Sequence, residues 1–131
     1  MKRVMLLGLI ALVVAAGTYL AGEQTEVAVL RTYDEEGLSY DTKLWVVDYD
    51  GAPWIRVAKP ERHWFQRLLV DPHAQIVRAG IAREVTAHPQ DSAEISARVD
   101  AAFRAKYGAV DWWYGLLLRR GAIPVRLDPA A

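Results

Sequence analysis

The sequence predicts a mainly-β domain (α+β): a six-stranded antiparallel split β-barrel with two to three helices, preceded by an N-terminal transmembrane helix. Three observations predict it. Residues 4–22 carry no charge, residues 27–58 follow the period of two expected of half-buried strands, and the later chain switches only briefly to helical spacing. The 131 residues suffice for one domain with a modest core, so the chain divides into an anchor over 1–22 and a barrel domain over 23–131.

The N-terminal segment comes first. Met1-Lys2-Arg3 is a short basic cap, and Val4 to Gly22 is uncharged over 19 positions. That is just enough for the roughly 20 apolar residues a spanning helix needs. Lys2 and Arg3 precede the run, while Glu23 and Glu26 follow it. The positive-inside bias therefore predicts a single-pass membrane protein with its domain on the extracytoplasmic side. A cleaved secretory signal, cut near Ala15 or Gly17, is the competing reading; the apolar run continues to Leu20, which favours the anchor.

Three strands should follow. "EVAVLRTY" alternates Val27, Val29 and Arg31 against Ala28, Leu30 and Thr32. The polar turn Asp34-Glu35-Glu36-Gly37 leads into "LSYDTKLWVVDY", and Asp50-Gly51 is a hairpin signal that returns the chain through "PWIRVA". Pro60 then suits the first position of a helix in which Trp64, Phe65, Leu68 and Leu69 form one apolar stripe, stopped by Asp71-Pro72. Two short strands around Gly80 make a second hairpin. Asp91 and Glu94 have capping-box spacing ahead of a helix whose Ile95, Val99, Phe103 and Tyr107 share a face, and Gly108 stops it. "DWWYGLLLRR" reads as a short helix. "AIPVRL" is the sixth strand, which Pro124 confines to an edge or a barrel seam. Six antiparallel strands with so few helices bury their apolar faces best by curling on themselves.

Composition narrows the chemistry. There is no cysteine, which excludes disulfides, thiolate catalysis and zinc–thiolate sites. A formal net charge of zero hides an asymmetry: residues 23–50 hold eight acids against Arg31 and Lys43, whereas residues 51–83 hold six bases against Glu61 and Asp71. Such a domain is a poor nucleic-acid binder but a reasonable host for one small anion. The candidate berth is the handover from third strand to first domain helix. Arg56 and Ala58 share a strand face, Lys59 ends the strand, and the helix begun at Pro60 offers free N–H groups beside Arg62, His63 and Arg67. A basic solvated face explains Arg62 and Arg67 equally well. His63, His73 and His88 lack metal-ligand spacing, so no metal site is expected, and Ser39, Ser92 and Ser96 lack nucleophile-elbow glycines. Trp45, Trp54 and Trp64 are read as packing. Trp112 and Trp113, with Tyr114, could pack, wall a planar ligand or lie in a membrane interface. No catalytic residue is identified; Tyr40 and Tyr114 are candidate proton donors only by their nearness to the berth.

The run from Leu30 to Gly80, with Trp54 to Lys59, Trp64 and Leu68, Asp71-Pro72 and the closing "AIPVRLDP", resembles the deazaflavin-dependent nitroreductase-like proteins, a branch of the flavin-binding split β-barrels. The resemblance covers about Val27 to Pro129. It implies a barrel that holds a deazaflavin coenzyme, or alternatively FMN, and passes hydride to a quinone or nitro compound. It places Arg56, Ala58 and Lys59 at the strand-end cofactor contacts, and Trp64 and Arg67 on the following helix. One departure stands out. Where many members carry a Gly-Arg-Lys-Ser-Gly-like loop, this chain has Tyr33-Asp34-Glu35-Glu36-Gly37, whose three carboxylates repel an anionic tail. A less charged cofactor, FMN or haem, or loss of redox function would follow.

The function expected is thus a membrane-anchored deazaflavin- or flavin-dependent oxidoreductase. The alternative is a non-catalytic cofactor- or ligand-binding envelope protein that keeps the barrel. Expected partners are membrane lipid along residues 4–22 and a small-molecule acceptor, with no nucleic acid. A homodimer that covers open strand edges is left open.

Overall fold

The structure, a computed structural model, describes residues 2–23, 26–108 and 122–130, with the side chains of the first helix described as far as Val13. The elements run α1 (Lys2–Glu23), β1 (Val27–Tyr33), β2 (Ser39–Trp45), β3 (Val47–Tyr49), β4 (Ala52–Val57), α2 (His63–Val70), β5 (His73–Arg78), β6 (Ile81–Pro89), α3 (Ala93–Tyr107) and β7 (Ile123–Pro129). Residues 111–120, read as a short helix, lie outside the described residues.

Seven strands, rather than the six expected, form one antiparallel sheet in the order β2-β1-β5-β6-β7-β4-β3. The difference arises at Val46. The segment read as a single strand pairs with β1 as far as Trp45, opposite Val27, and with β4 from Val47, opposite Trp54. One extended stretch therefore supplies both edges of the sheet and curls it into a half-barrel. Sequence could not mark the change, because the alternation runs straight through it. Leu44 and Val46 pack into the barrel, while Trp45 and Val47 pack outside.

Two of the hairpins turn in two residues. Tyr49 pairs with Ala52 across Asp50-Gly51, whose φ values of 50° and 76° are those of a type I′ turn, as the dipeptide predicts. Arg78 pairs with Ile81 across Ala79-Gly80, with φ values of 48° and 77°. Ala79 has a Cβ in a left-handed conformation that costs an L-residue about 1–2 kcal/mol. Replacing it with glycine is expected to stabilise the fold by about 0.5–1 kcal/mol, the gain reduced by glycine's freedom in the unfolded chain. A thermal melt that shows no rise in midpoint would contradict this.

The core has two parts. Inside the half-barrel, Leu30, Ile55, Val57, Ile76, Val125 and Leu127 meet Trp64, Phe65 and Leu68 from α2, which closes one end. On the outer face, Val99, Phe103 and Tyr107 of α3 cover Val47 and Trp54. The apolar stripes read from helical spacing are the buried ones, except that Leu69 is exposed and Ile95 half-buried. The α3 cap is Ser92, which accepts from the Ile95 N–H, rather than Asp91. Helix α2 starts at His63, so Pro60 belongs to the preceding turn. Pro124 sits in an interior strand between β6 and β4, not at an edge. It is tolerated because the β6–β7 pairing ends one residue later, at Pro89 opposite Val125.

The membrane reading is corrected. Among the described residues no helix is long and apolar enough to cross a membrane. The expectations of a transmembrane helix and of a single-pass membrane location with an extracytoplasmic domain therefore do not stand.

Candidate binding cleft

The berth read from sequence comprised Arg56, Ala58, Lys59, Trp64 and Arg67. Arg56 lies on the outer face of β4, where alternation puts it, and its side chain is 7% exposed. It turns towards α3, with Nη1 2.8 Å from Asp100 Oδ1 and the guanidinium carbon 3.8 Å above the Phe103 ring. Ala58 is half-buried in the bend after β4, and Lys59 is exposed, its carbonyl accepting from the Arg62 N–H. Trp64 is buried in the barrel core, edge-to-face with Phe65 at 6.0 Å. Arg67 lies elsewhere, on the flank of α2 that faces the β1–β2 hairpin.

That flank forms a cleft of about 500 Å³ between the hairpin and α2. Arg67 is its organising cation. Its Nε donates to Thr32 Oγ1 at 2.7 Å, and its guanidinium lies 4.2 Å above the Tyr40 ring. Thr32 is fully buried, so this bond satisfies a hydroxyl that would otherwise be costly to sequester. Tyr33, Leu38, His63 and Val70 complete the apolar and aromatic walls, and Tyr33 stacks on His73 at 5.5 Å.

The acidic hairpin is built rather than merely solvated. Asp34 Oδ1 accepts from the N–H groups of Glu36 and Leu38, both at 2.9 Å, and Oδ2 accepts from the Tyr40 hydroxyl at 3.0 Å. Desolvation opposes ionisation of Asp34, but the Leu38 N–H, the Tyr40 hydroxyl and the Glu36 N–H together hold its carboxyl below the usual range. The same hydrogen bond to Asp34, with the carboxylate's charge, pushes the Tyr40 phenol up. The lining holds Asp34, Glu35 and Glu36 against Arg67, so an added anionic tail meets net negative charge. Tyr40 was singled out from sequence only as a tyrosine near the expected berth. Its pairing with Arg67, across an intervening strand and hairpin, has no local signal. Among the described residues no group of three His, Asp or Glu side chains could hold a metal ion.

A half-barrel of antiparallel strands plugged by a short helix is a recurrent architecture, and the sequence is also diagnostic. A family model described as "Uncharacterized protein conserved in bacteria (DUF2255)" matches residues 20–119. The chain belongs to this family. No curated protein matches it in sequence. Solved structures do match in shape. HutZ, described as the heme storage protein from Vibrio cholerae, superposes with a TM-score of 0.64 at 18% identity, covering 89% of each chain. A Listeria innocua protein put forward as a pyridoxamine 5′-phosphate oxidase gives 0.63 at 13% identity, covering 89% of this chain and 93% of its own. A FAD-binding protein from Mesorhizobium loti gives 0.58 at 12%, covering 89% and 88%.

At such identities these likenesses establish the fold, a split β-barrel. For this DUF2255 chain the resemblance read from sequence therefore holds at the level of the split β-barrel fold. The family shown is not the deazaflavin-dependent nitroreductase-like one.

Proposed function

We propose that this chain is a non-catalytic binding protein that uses the split barrel to hold a planar cofactor of haem or flavin type in the Arg67 cleft. The observation that carries this reading is Arg67 itself, fixed between the Thr32 hydroxyl and the Tyr40 ring so that a cation faces an aromatic-walled cleft. A guanidinium held in this way loses little freedom when it receives an anionic group.

The residues fit such a group selectively. The walls of Tyr33, Tyr40, Leu38 and Val70 suit a flat ring. His63 and the two tyrosines carry atoms able to ligate a haem iron, and Arg67 suits a propionate. The three hairpin carboxylates disfavour a phosphate tail and, more strongly, the polyanionic tail of a deazaflavin coenzyme. Haem is therefore the preferred occupant and FMN the second. The described titratable groups at the heart of the cleft are engaged in holding its shape, Asp34 with its own turn and Arg67 with Thr32. This supports storage or transport over hydride transfer to a quinone or nitro acceptor.

The test is a titration of the full chain with hemin, FMN and a deazaflavin coenzyme, followed by the cofactor's visible bands and by tryptophan fluorescence. Saturable one-to-one binding of hemin, weaker binding of FMN and none of the deazaflavin are expected. Arg67→Ala should weaken hemin binding about 10- to 100-fold, the worth of a charged hydrogen bond of about 1.5–3 kcal/mol. If no cofactor shifts either signal, the reading fails.

A further inference from the structure

The half-barrel has a second opening, at the end away from α2. There a cleft of about 710 Å³ lies between the β3–β4 and β5–β6 hairpins. Its floor is the barrel core itself: Ile76, Val85 and Leu127 line it, each no more than 3% exposed overall. Ionic groups form its rim, and an inventory of their partners singles out one.

Arg78 is fully committed. Its guanidinium bonds both oxygens of Glu26 and both of Asp48, at 2.7–3.3 Å. Lys106 closes on Glu26 from the other side. Asp50 pairs with Arg126, and Glu84 projects to the opposite sheet face, where it meets His73 and Gln75. Glu26, Asp48 and Asp50 thus each have a cationic partner, and Glu84 is hydrogen-bonded away from the mouth. Arg83 is the exception, with no carboxylate partner among the described residues.

Strand register fixes where Arg83 points. It lies directly opposite Ile76 in the β5–β6 ladder, and directly paired residues project to the same face. It also shares the alternation of Val85 and Ala87, both buried in the barrel. Arg83 is thus a cation on the inward face of the sheet, one step above an apolar floor.

We propose that this mouth binds a small amphipathic carboxylate, its apolar part resting on Ile76, Val85 and Leu127 and its carboxylate on Arg83. The charge accounting selects the anion: an amphiphile with a cationic head would find Glu26, Asp48 and Asp50 already paired with cations and Glu84 turned to the opposite face, and would meet Arg83 unscreened. The aliphatic floor selects a chain or ring tail over a polar metabolite. The site is at the other end of the barrel from the Arg67 cleft and does not depend on it.

The experiment is a fluorescence titration of the full chain with 11-(dansylamino)undecanoic acid, followed by displacement with decanoate and, separately, with decyltrimethylammonium. One saturable site per chain is expected, displaced by decanoate at least 10-fold more effectively than by the ammonium compound. Arg83→Glu should weaken binding at least 10-fold, whereas Arg62→Glu, an exposed cation before α2, and Arg67→Ala should leave it unchanged. Adsorption to the exposed apolar side chains of α1 would ignore Arg83. Equal binding by Arg83→Glu and the parent protein, loss in the Arg62 variant to the same extent, preference for the ammonium amphiphile, or absence of a saturable site would each overturn the proposal.

Discussion

Replacing Tyr107 with alanine is expected to cost about 3–5 kcal/mol, the range for removing a large buried ring. A domain of this size has a total stability of about 5–15 kcal/mol, so much of it would go. Tyr107 is fully buried, stacked on Trp45 at 4.4 Å with an 8° interplanar angle and on Phe103 at 5.9 Å. Its hydroxyl does more than fill space. It accepts from the Val46 N–H at 3.1 Å and has the Glu26 carbonyl at 2.7 Å as the nearer acceptor for its single proton. Val46 is the residue at which the strand leaves β1 for β4, so its N–H has no ladder partner. The Val46 carbonyl is served by Lys106 Nζ at 2.7 Å. The C-terminal turn of α3 therefore fastens the corner that closes the half-barrel. Tyr107→Phe keeps the stacking and removes only the hydroxyl. It should cost about 1–3 kcal/mol, the penalty for leaving a buried donor unpaired. Urea denaturation of the two variants separates the ring from the hydroxyl; a neutral Tyr107→Phe would show that the corner holds without it.

Acid should loosen the same corner. The hydrogen bonds from Arg78, opposed by desolvation and reinforced by Lys106, lower the Glu26 carboxyl from 4.5 to about 2. Asp48 is lowered as well, chiefly by its bonds to Arg78. A carboxylate with a depressed folded-state pKa stabilises the fold fully above its unfolded value and loses that contribution as pH falls towards the folded value. For Glu26 the window runs from pH 4.5 down to about 2. Its side chain is 30% exposed, so screening reduces the effect to about 1–2 kcal/mol. Denaturation midpoints measured between pH 2 and 7 should fall through this window in the parent protein. Glu26→Gln, less stable at neutral pH, should have a shallower slope. Parallel slopes would remove Glu26 from the account of acid stability.

How much of this was legible in the sequence depends on the range of the interaction. Asp50-Gly51 predicts its turn because a type I′ hairpin needs left-handed backbone at both central positions, a requirement local to two residues. The α3 stripe of Val99, Phe103 and Tyr107 was readable for the same kind of reason: helical spacing puts these residues on one face wherever the helix packs. Arg56 was assigned to the correct face of its strand, but not to a neighbour. Alternation says that Arg56 points away from Ile55 and Val57; only the fold brings Asp100 and Phe103 there to receive it.

The sequence by itself determined where the chain is extended, how its faces alternate and where the Asp50-Gly51 turn falls, though not the number of strands, since each of these follows from backbone preferences within a few residues. Tertiary structure alone decided that one stretch would change partners at Val46, that Tyr107 would hold it there, and that Arg67 and Arg83 would face separate clefts. Those outcomes depend on which strands become neighbours, and side chains distant in the chain meet only after the sheet has curled.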